Sequence, residues 1–244
     1  MKKLSVIIPA YNEENFIGKL IDKILAVKLS QFDTSLEIIV VDDCSTDNTK
    51  AIVEKYPTVT YYRQEKNMGK GAAVKKGISH STGDWILVQD ADLEYEPEDY
   101  APMMEKLLNS KSPAAVYGSR ALGQMRENKD IFWLLKSKHP DQKVVNWLAS
   151  KFLTFFTFVL YGVWITDTLT AYKLYPGNLL RSYTIKTRGF ETDHELTALL
   201  VQNKIDILEV PIYYYPRSVE EGKKIKAIDF FIALKTLTRF RFLQ

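Results

Sequence analysis

After the apolar run Trp85-Ile86-Leu87-Val88, residues 90–99 read DADLEYEPED and place six carboxylates in ten positions. Two ionised carboxylates about 4 Å apart repel by roughly 4 kcal/mol at an effective dielectric near 20, so such a cluster calls for a cation. Asp90, Asp92 and Glu94 alternate, and in an extended chain alternate side chains share one face. Oxygen-only ligands suit Mg²⁺ or Mn²⁺, and Mg²⁺ held by one or two carboxylates fills its other positions with water and substrate phosphates. Taken alone, the segment also reads as a solvated strand-to-helix loop. Glu96, Glu98 and Asp99 have a structural reading instead. Pro97 fits the first position of a helix running through Met103 and Leu107, whose dipole stabilises each of these acids by roughly 0.3–1 kcal/mol.

The elements that would position these groups follow from periodicity. Strand-like runs at Leu4 to Ile8, Glu37 to Asp42, Val59 to Arg63, Trp85 to Gln89 and Ala114 to Tyr117 alternate with segments whose apolar residues recur every three or four positions. That alternation predicts an α/β fold with an open, mostly parallel twisted sheet flanked by helices. Ile17, Leu20, Ile21, Ile24 and Leu25 line one face of the first helix, and Ser45 or Thr46 is a candidate cap for the second. In such sheets ligands bind beyond the carboxyl ends of the strands. There stand Pro9-Ala10-Tyr11-Asn12-Glu13, Asp42-Asp43, Asp90-Ala91-Asp92 and Gly118-Ser119-Arg120. Asn67-Met68-Gly69-Lys70-Gly71 precedes a helix, where glycines make a turn or let backbone N–H groups and Lys70 approach a nucleotide.

A chain of 244 residues, 46% apolar and 26% charged, has the length and composition of one globular domain. Its net charge of +3 is too small to imply nucleic acid, and KKIK at 223–226 with Arg239 and Arg241 makes a basic C-terminal edge. Cys44 has no second cysteine to pair with, so a cytosolic setting is the default. Pro9, Asn12, Glu13 and Glu14 interrupt the first apolar run, which reads as a strand and not a signal peptide.

The second half is less regular: a helix over GFETDHELTALLVQNK, a strand over IDILEVPIYYY and a final amphipathic stretch. The long apolar stretch, Val144 to Ile165, is broken by Asn146, Lys151, Thr154, Thr157 and Gly162. Its aromatic residues Trp147, Phe152, Phe155, Phe156, Phe158, Tyr161 and Trp164, with Lys136, Lys138, Lys143 and Lys151, suit a helix lying in a membrane interface. A buried core or dimer helix is the other reading. His194 has no histidine or cysteine at metal-ligand spacing and reads as a packing or helix-surface residue.

PAYNEE at 9–14, VDDCSTDNT at 41–49, NMGKGAAV at 67–74, DADLEYEPED at 90–99 and YGSR at 117–120 together resemble the inverting sugar-nucleotide transferases of glycosyltransferase family two, which have the GT-A fold. The resemblance is nearest to the dolichyl-phosphate mannose and glucose synthases and their bacterial polyprenyl-phosphate relatives. It is dense over the first half and looser through DTLTAYK at 167–173, GFETDHEL at 189–196 and YYPRSVEEGKK at 214–224. Two departures stand out: Glu94 occupies a position where the mannose synthases carry glutamine, and Ala171 replaces the usual glycine of a DTxTGxK stretch.

The resemblance implies a single 1–244 domain with a nucleotide-sugar-binding half, 1–120, and an acceptor half, 121–244, whose interfacial helix spans 144–165. It implies contacts to nucleoside from Pro9, Ala10, Tyr11, Glu13, Asp42 and Asp43, and to nucleotide from Gly69 and Lys70. Asp90, Ala91 and Asp92 match the metal-binding DxD pattern, with Glu94 as a further ligand. Arg120 and Arg217 would clamp the diphosphate or acceptor phosphate, beside Lys223, Lys224, Asp167 and Thr168. Asp193 would orient the donor sugar or act as base.

The implied partners are a UDP- or GDP-linked sugar, Mg²⁺ or Mn²⁺, a polyprenyl phosphate and the cytoplasmic face of a membrane, attached peripherally; a homo-oligomer stays open. The rival readings are transfer to a sugar hydroxyl in surface-polysaccharide synthesis and a non-catalytic nucleotide-sugar-binding subunit. A sugar-nucleotide pyrophosphorylase would carry a glycine-rich, arginine-containing loop where this chain has PAYNEE.

Overall fold

Nine residues rich in Val, Ile and Leu make β1 (Lys2–Ala10) the central strand, and its residues Leu4 to Ile8 are buried on both faces. The computed structural model describes residues 1–127, 144–215 and 227–242. β2 (Thr34–Asp42), β3 (Val59–Arg63) and β4 (Trp85–Val88) join β1 in parallel. β5 (Ala114–Ser119), β6 (Lys173–Pro176) and β7 (Asp206–Pro211) complete a seven-stranded sheet of order β3-β2-β1-β4-β6-β5-β7.

β6 runs antiparallel to both of its neighbours, whereas β5 and β7 are parallel to each other. This strand was not expected from the sequence: four residues containing a lysine give too short and too polar a run to read. Strands from both halves of the chain therefore interleave in one sheet. The expected final strand ends at Pro211, beyond which Tyr214 forms an isolated bridge with Tyr95.

Helices cover both faces. On one side Ile17, Leu20, Ile21 and Ile24 of α1 (Ile17–Ala26) and Tyr100, Met103 and Met104 of α4 (Tyr100–Leu108) pack on Leu4, Val6 and Ile8. Each fully buried aliphatic side chain contributes about 1.5–3 kcal/mol. Leu25, expected on the same face of α1, is instead exposed. On the other side Val74 and Ile78 of α3 (Lys70–His80) and Leu196 and Leu199 of α8 (Thr192–Gln202) pack on Ile7, Ile86 and Val88.

α2 (Thr49–Val53) is not capped by Ser45 or Thr46. Asp47 accepts from Thr49 N at 3.0 Å, while Ser45 Oγ accepts from Asn12 N at 2.9 Å and so ties two loops together. α5 (Arg120–Glu127) follows β5, and α7 (Gly177–Ser182) follows β6. α6 (Val144–Tyr161) and α9 (Ala227–Phe242) pack together through Leu153, Tyr161, Leu237 and Phe240. Among the described residues no helix is long and apolar enough to cross a membrane.

Register sets the site. Ala10 lies opposite Asp42, and Ile7 lies opposite Val88, so β4 stops below the ends of β1 and β2. The acidic segment emerges into the crevice that results.

Candidate active site

The loops after β1 and β2 are knitted together. Asn12 takes φ 56° and accepts from Thr46 N at 2.8 Å, while Glu13 N donates to Thr49 Oγ1 at 2.9 Å. This leaves Tyr11 exposed above a buried Ala10 and a buried Glu13, with Pro9 half-buried between sheet and crevice. Asp42 is fully buried and accepts from Tyr61 Oη at 2.6 Å and Ser45 N at 2.7 Å, with Arg63 Nη1 at 3.5 Å. Burial and then the Asp42 carboxylate push the Tyr61 phenol above its ordinary range.

Asp43 organises the loop that precedes α3. It accepts from Gln64 Nε2, Met68 N and Gly69 N, each at 2.7 Å. Gly69 has φ 91°, and a Cβ there would come within 2.8 Å of the Arg188 carbonyl oxygen; a Cβ on Gly71 would meet the same backbone and Thr192. The loop thereby closes against the start of α8 and brings Lys70 over the crevice. Lys70 Nζ stands 2.6 Å from Asp90 Oδ1. Burial works against its charge, but Asp90 and then Asp193 outweigh that and hold the ammonium above its ordinary pKa.

The acidic segment is not extended. Leu93 takes φ 59°, so the chain turns and the expected shared face of Asp90, Asp92 and Glu94 is not formed. Asp92 Oδ1 accepts from Glu94 N at 3.2 Å, and Glu94 Oε2 accepts from Tyr214 Oη at 2.8 Å. Among the described residues no three His, Cys, Asp or Glu side chains stand together as a metal site. Ala91 is buried beneath the turn. Gln89, also buried, fixes its root: its Oε1 accepts from Tyr100 Oη at 2.8 Å and Tyr172 Oη at 2.6 Å, while its Nε2 donates to Asp90 O at 2.9 Å.

Asp90 and Asp92 together still suit a hard divalent cation, since two carboxylates and phosphate oxygens form a common Mg²⁺ set. Lys70 already supplies one positive charge at Asp90. Glu94, expected as a further metal ligand, holds Tyr214, while Glu96 and Asp99 have structural partners. Glu96 pairs with Lys23 at 2.7 Å, and Asp99 accepts from Tyr213 N at 2.9 Å. Burial raises the Asp99 carboxyl to about 6.

The far bank is built on Arg120. Its Nε and Nη2 donate to the two Asp167 oxygens at 2.7 and 2.8 Å, and its own backbone N–H donates to Asp167 Oδ2 at 3.1 Å. Burial opposes both charges, yet each partner outweighs it: Asp167 is held below the usual carboxylate range and Arg120 well above its own. Glu209 on β7 accepts from Thr166 N at 2.9 Å and Asp167 N at 3.3 Å, which orients the pair. Tyr214 lies under the guanidinium, 5.0 Å from ring centroid to Cζ. Thr168 is buried, with its hydroxyl 3.2 Å from that of Thr154.

Asp193 sits in the first turn of α8, 3.9 Å from the buried Lys173 ammonium. His194 beside it is a packing residue: it is buried, its Nδ1 has no hydrogen-bond partner among the described residues, and burial followed by Lys173 lowers it to about 3. Glu195 is fully buried and accepts from Tyr183 Oη, Lys186 N, Thr187 N and Thr187 Oγ1, so it shapes the loop before α8. Arg217, Lys223 and Lys224 lie outside the described residues, as do Lys136, Lys138 and Lys143.

Thus Lys70, Asp90, Asp92, Arg120, Asp167 and Asp193 stand on loops and helix starts at one edge of the sheet. Gln89 is a functional candidate that motif reading passed over, whereas Lys173 closes the DTLTAYK stretch and was given no role there. For Gln89, a polar residue directly after an otherwise apolar strand was the available signal.

A family model described as Glycosyl transferase family 2 matches residues 5–160. A dolichyl-phosphate beta-glucosyltransferase of Trichomonas vaginalis is 33% identical over 237 residues, 91% of this chain and 68% of the relative. A second such enzyme from that organism is 36% identical, but the match spans only 48% of this chain and 40% of the relative. A UDP-N-acetylglucosamine–dolichyl-phosphate N-acetylglucosaminyltransferase of Methanococcus voltae is 29% identical over 92% of this chain and 91% of its own length. Among solved structures, glucosyl-3-phosphoglycerate synthase of Mycobacterium tuberculosis, crystallised with Mn²⁺, uridine diphosphate and phosphoglyceric acid, superimposes with a TM-score of 0.70. Its sequence identity is 19%, over 100% of this chain and 80% of that one.

Proposed function

The chain is a member of glycosyl transferase family 2, and from that premise we propose that it transfers a hexose or N-acetylhexosamine from a nucleoside-diphosphate sugar to a polyprenyl phosphate. The observation that carries this reading is the meeting of Asp90, Asp92 and Lys70 with the Arg120–Asp167 pair at one sheet edge. Acids for a cation and fixed cations for phosphates are what departure of a diphosphate requires.

Pro9, Ala10, Tyr11 and Glu13 form the nucleoside shelf, and Asp43 presents the Gly69–Lys70 loop to the donor. Asp90 and Asp92 would hold Mg²⁺ or Mn²⁺, which when bound neutralises charge on the leaving diphosphate. Glu94 tethers Tyr214 and with it the platform under Arg120. Arg120 keeps N–H donors beyond the two given to Asp167 and turns them to phosphate oxygens. Arg217, Lys223 and Lys224 are assigned to the acceptor phosphate.

In the transfer, an oxygen of the lipid phosphate forms a bond to the anomeric carbon from the face opposite the diphosphate. The carbon–oxygen bond to the diphosphate breaks, and its electron pair leaves with the nucleotide, so configuration inverts. The attacking oxygen is already anionic near neutral pH, and no proton needs to be removed. Asp193 then serves to orient the donor sugar.

Access to a lipid fits the outer faces of α6 and α9. Leu148, Phe152, Phe155 and Val159 are exposed along α6, Ile228 and Phe231 along α9, and the Phe152 and Phe230 rings meet between the helices with centroids 6.0 Å apart. Lys235, Arg239 and Arg241 are exposed on α9, as suits an interfacial helix on anionic lipid. The opposite face of α6 is buried: Tyr161 Oη donates to Leu237 O at 2.7 Å. The buried-core reading holds for that face, and the interfacial reading is assigned to the exposed one. The cytoplasmic face of a membrane is the proposed setting.

The test is incubation with labelled UDP-glucose, UDP-N-acetylglucosamine or GDP-mannose, Mn²⁺, and either dolichyl phosphate or free glycans. Label is expected in an organic-soluble product and not after chelation. Label only in glycans, or in no product with any donor, overturns the reading.

A further inference from the structure

Charged side chains are seldom fully buried, yet Lys173 is completely so. It opens β6, and because that strand runs against its neighbours, its first residue faces Val88 and Tyr117 at the edge where the site lies. Its Nζ donates to Thr168 O at 3.2 Å, stands 4.9 Å from the Tyr117 ring centroid, and lies 3.9 Å from Asp193 Oδ1. Methionine would fill this volume without the cost of desolvating an ammonium, so packing does not account for the charge.

Asp193 is the group on the solvent side of this arrangement, with its side chain 23% exposed toward the crevice. It also acts electrostatically on Lys70, the cation already paired with Asp90. We propose that Lys173 is a positioning residue: its buried ammonium anchors the Asp193 carboxylate at the donor-sugar position, while Lys173 itself touches no substrate. The inference rests on the reading of Asp193 as the sugar-orienting group. Burial, with Lys70 and Arg120, lowers the Lys173 pKa from its ordinary value, and Asp193 and Asp167 oppose that by favouring the charge. His194, on α8, is neighbouring bulk whose imidazole burial and then Lys173 keep neutral by lowering it to about 3.

Two measurements test this. The first needs no ligand: denaturant unfolding of Asp193→Asn, Lys173→Met and the double variant. Asp193→Asn alone should lower stability by leaving the buried ammonium without its carboxylate, and Lys173→Met should abolish that loss in the double variant. Additive losses overturn the proposal. Lys173→Gln replaces Lys173→Met in the cycle if the methionine variant does not fold.

The second is calorimetric binding of UDP and of UDP-glucose, each with Mn²⁺. Lys173→Met should weaken UDP-glucose about tenfold, the size of one hydrogen bond to a charged group, and leave UDP within about twofold. Equal losses for both ligands, or none for UDP-glucose, overturn the proposal. A wild-type chain that binds neither UDP nor UDP-glucose refutes that choice of donor, and the unfolding cycle still decides whether Lys173 anchors Asp193.

Discussion

Lys70 Nζ stands 2.6 Å from Asp90 Oδ1, so the first carboxylate of the DAD turn is already countered by an ammonium carried on the neighbouring helix. A divalent ion arriving at Asp90 must compete with it. In the proposed reaction the donor's phosphates and sugar give Lys70 another partner, which couples cation binding to donor binding.

Lys70→Met is therefore expected to tighten Mn²⁺ binding to the donor-free protein by about tenfold, equivalent to about 1.4 kcal/mol, while turnover falls. Titration of free Mn²⁺ by electron paramagnetic resonance reads the first effect directly. Unchanged or weaker Mn²⁺ binding would show that Lys70 does not hold the cation's place.

The Arg120–Asp167 pair is bidentate and largely buried, with side chains 23% and 10% exposed. Removing one partner of such a pair typically costs about 3–5 kcal/mol, whereas replacing both with apolar residues often costs nothing. Asp167→Asn should accordingly lose both stability and turnover. The double variant Arg120→Met/Asp167→Leu should recover stability in urea unfolding and remain inactive. Recovery of activity in the double variant would remove Arg120 from the phosphate site.

Much of this arrangement is legible before any coordinates, and the failures have identifiable causes. Acids after an apolar run locate the crevice, because a parallel sheet gathers its strand ends at one edge. Alternation then misleads, since it presumes extended backbone and Leu93 at φ 59° breaks it. Ser45 looks like a cap in one dimension but spends its hydroxyl on Asn12, which is 33 residues away along the chain. β6 is hidden by its brevity and its lysine, and with it the place of Lys173. Local pattern carries the elements that bury a face; it says little about which side chains meet across strands that are distant in sequence.

Asp99 gives a pH dependence whose sign is opposite to that of most carboxylates. Burial raises it from 3.8 to about 6, against the Tyr213 N–H and Arg126. Between these values the folded state holds a proton that the unfolded state has released, so this group's contribution to stability falls as pH rises from about 4 to about 6. Asp99→Asn keeps an acceptor for Tyr213 N and removes the titration. Urea midpoints measured from pH 5 to 7 should decline less in the variant than in the wild type, and the variant should be the more stable at pH 7. Parallel pH curves would place the Asp99 pKa outside that window.

The outer faces of α6 and α9 join through Phe152 and Phe230, so charge placed on either helix should weaken the same proposed membrane contact. Phe155 is 55% exposed and Phe231 is 64% exposed, which makes both replaceable without opening the core. Burying a side chain of this size in lipid contributes about 1.5–3 kcal/mol, and each 1.4 kcal/mol is about tenfold in binding. Phe155→Glu and Phe231→Glu should each reduce co-flotation with vesicles containing phosphatidylglycerol by about tenfold or more. Thermal midpoints should stay within about 2 °C of the wild type, since a surface change usually costs under about 0.5 kcal/mol. Turnover on a short-chain, water-soluble prenyl phosphate should be retained, because that acceptor reaches the crevice without a bilayer. Full flotation of both variants would separate this surface from the membrane, and loss of short-chain turnover would show that the helices act on the site itself.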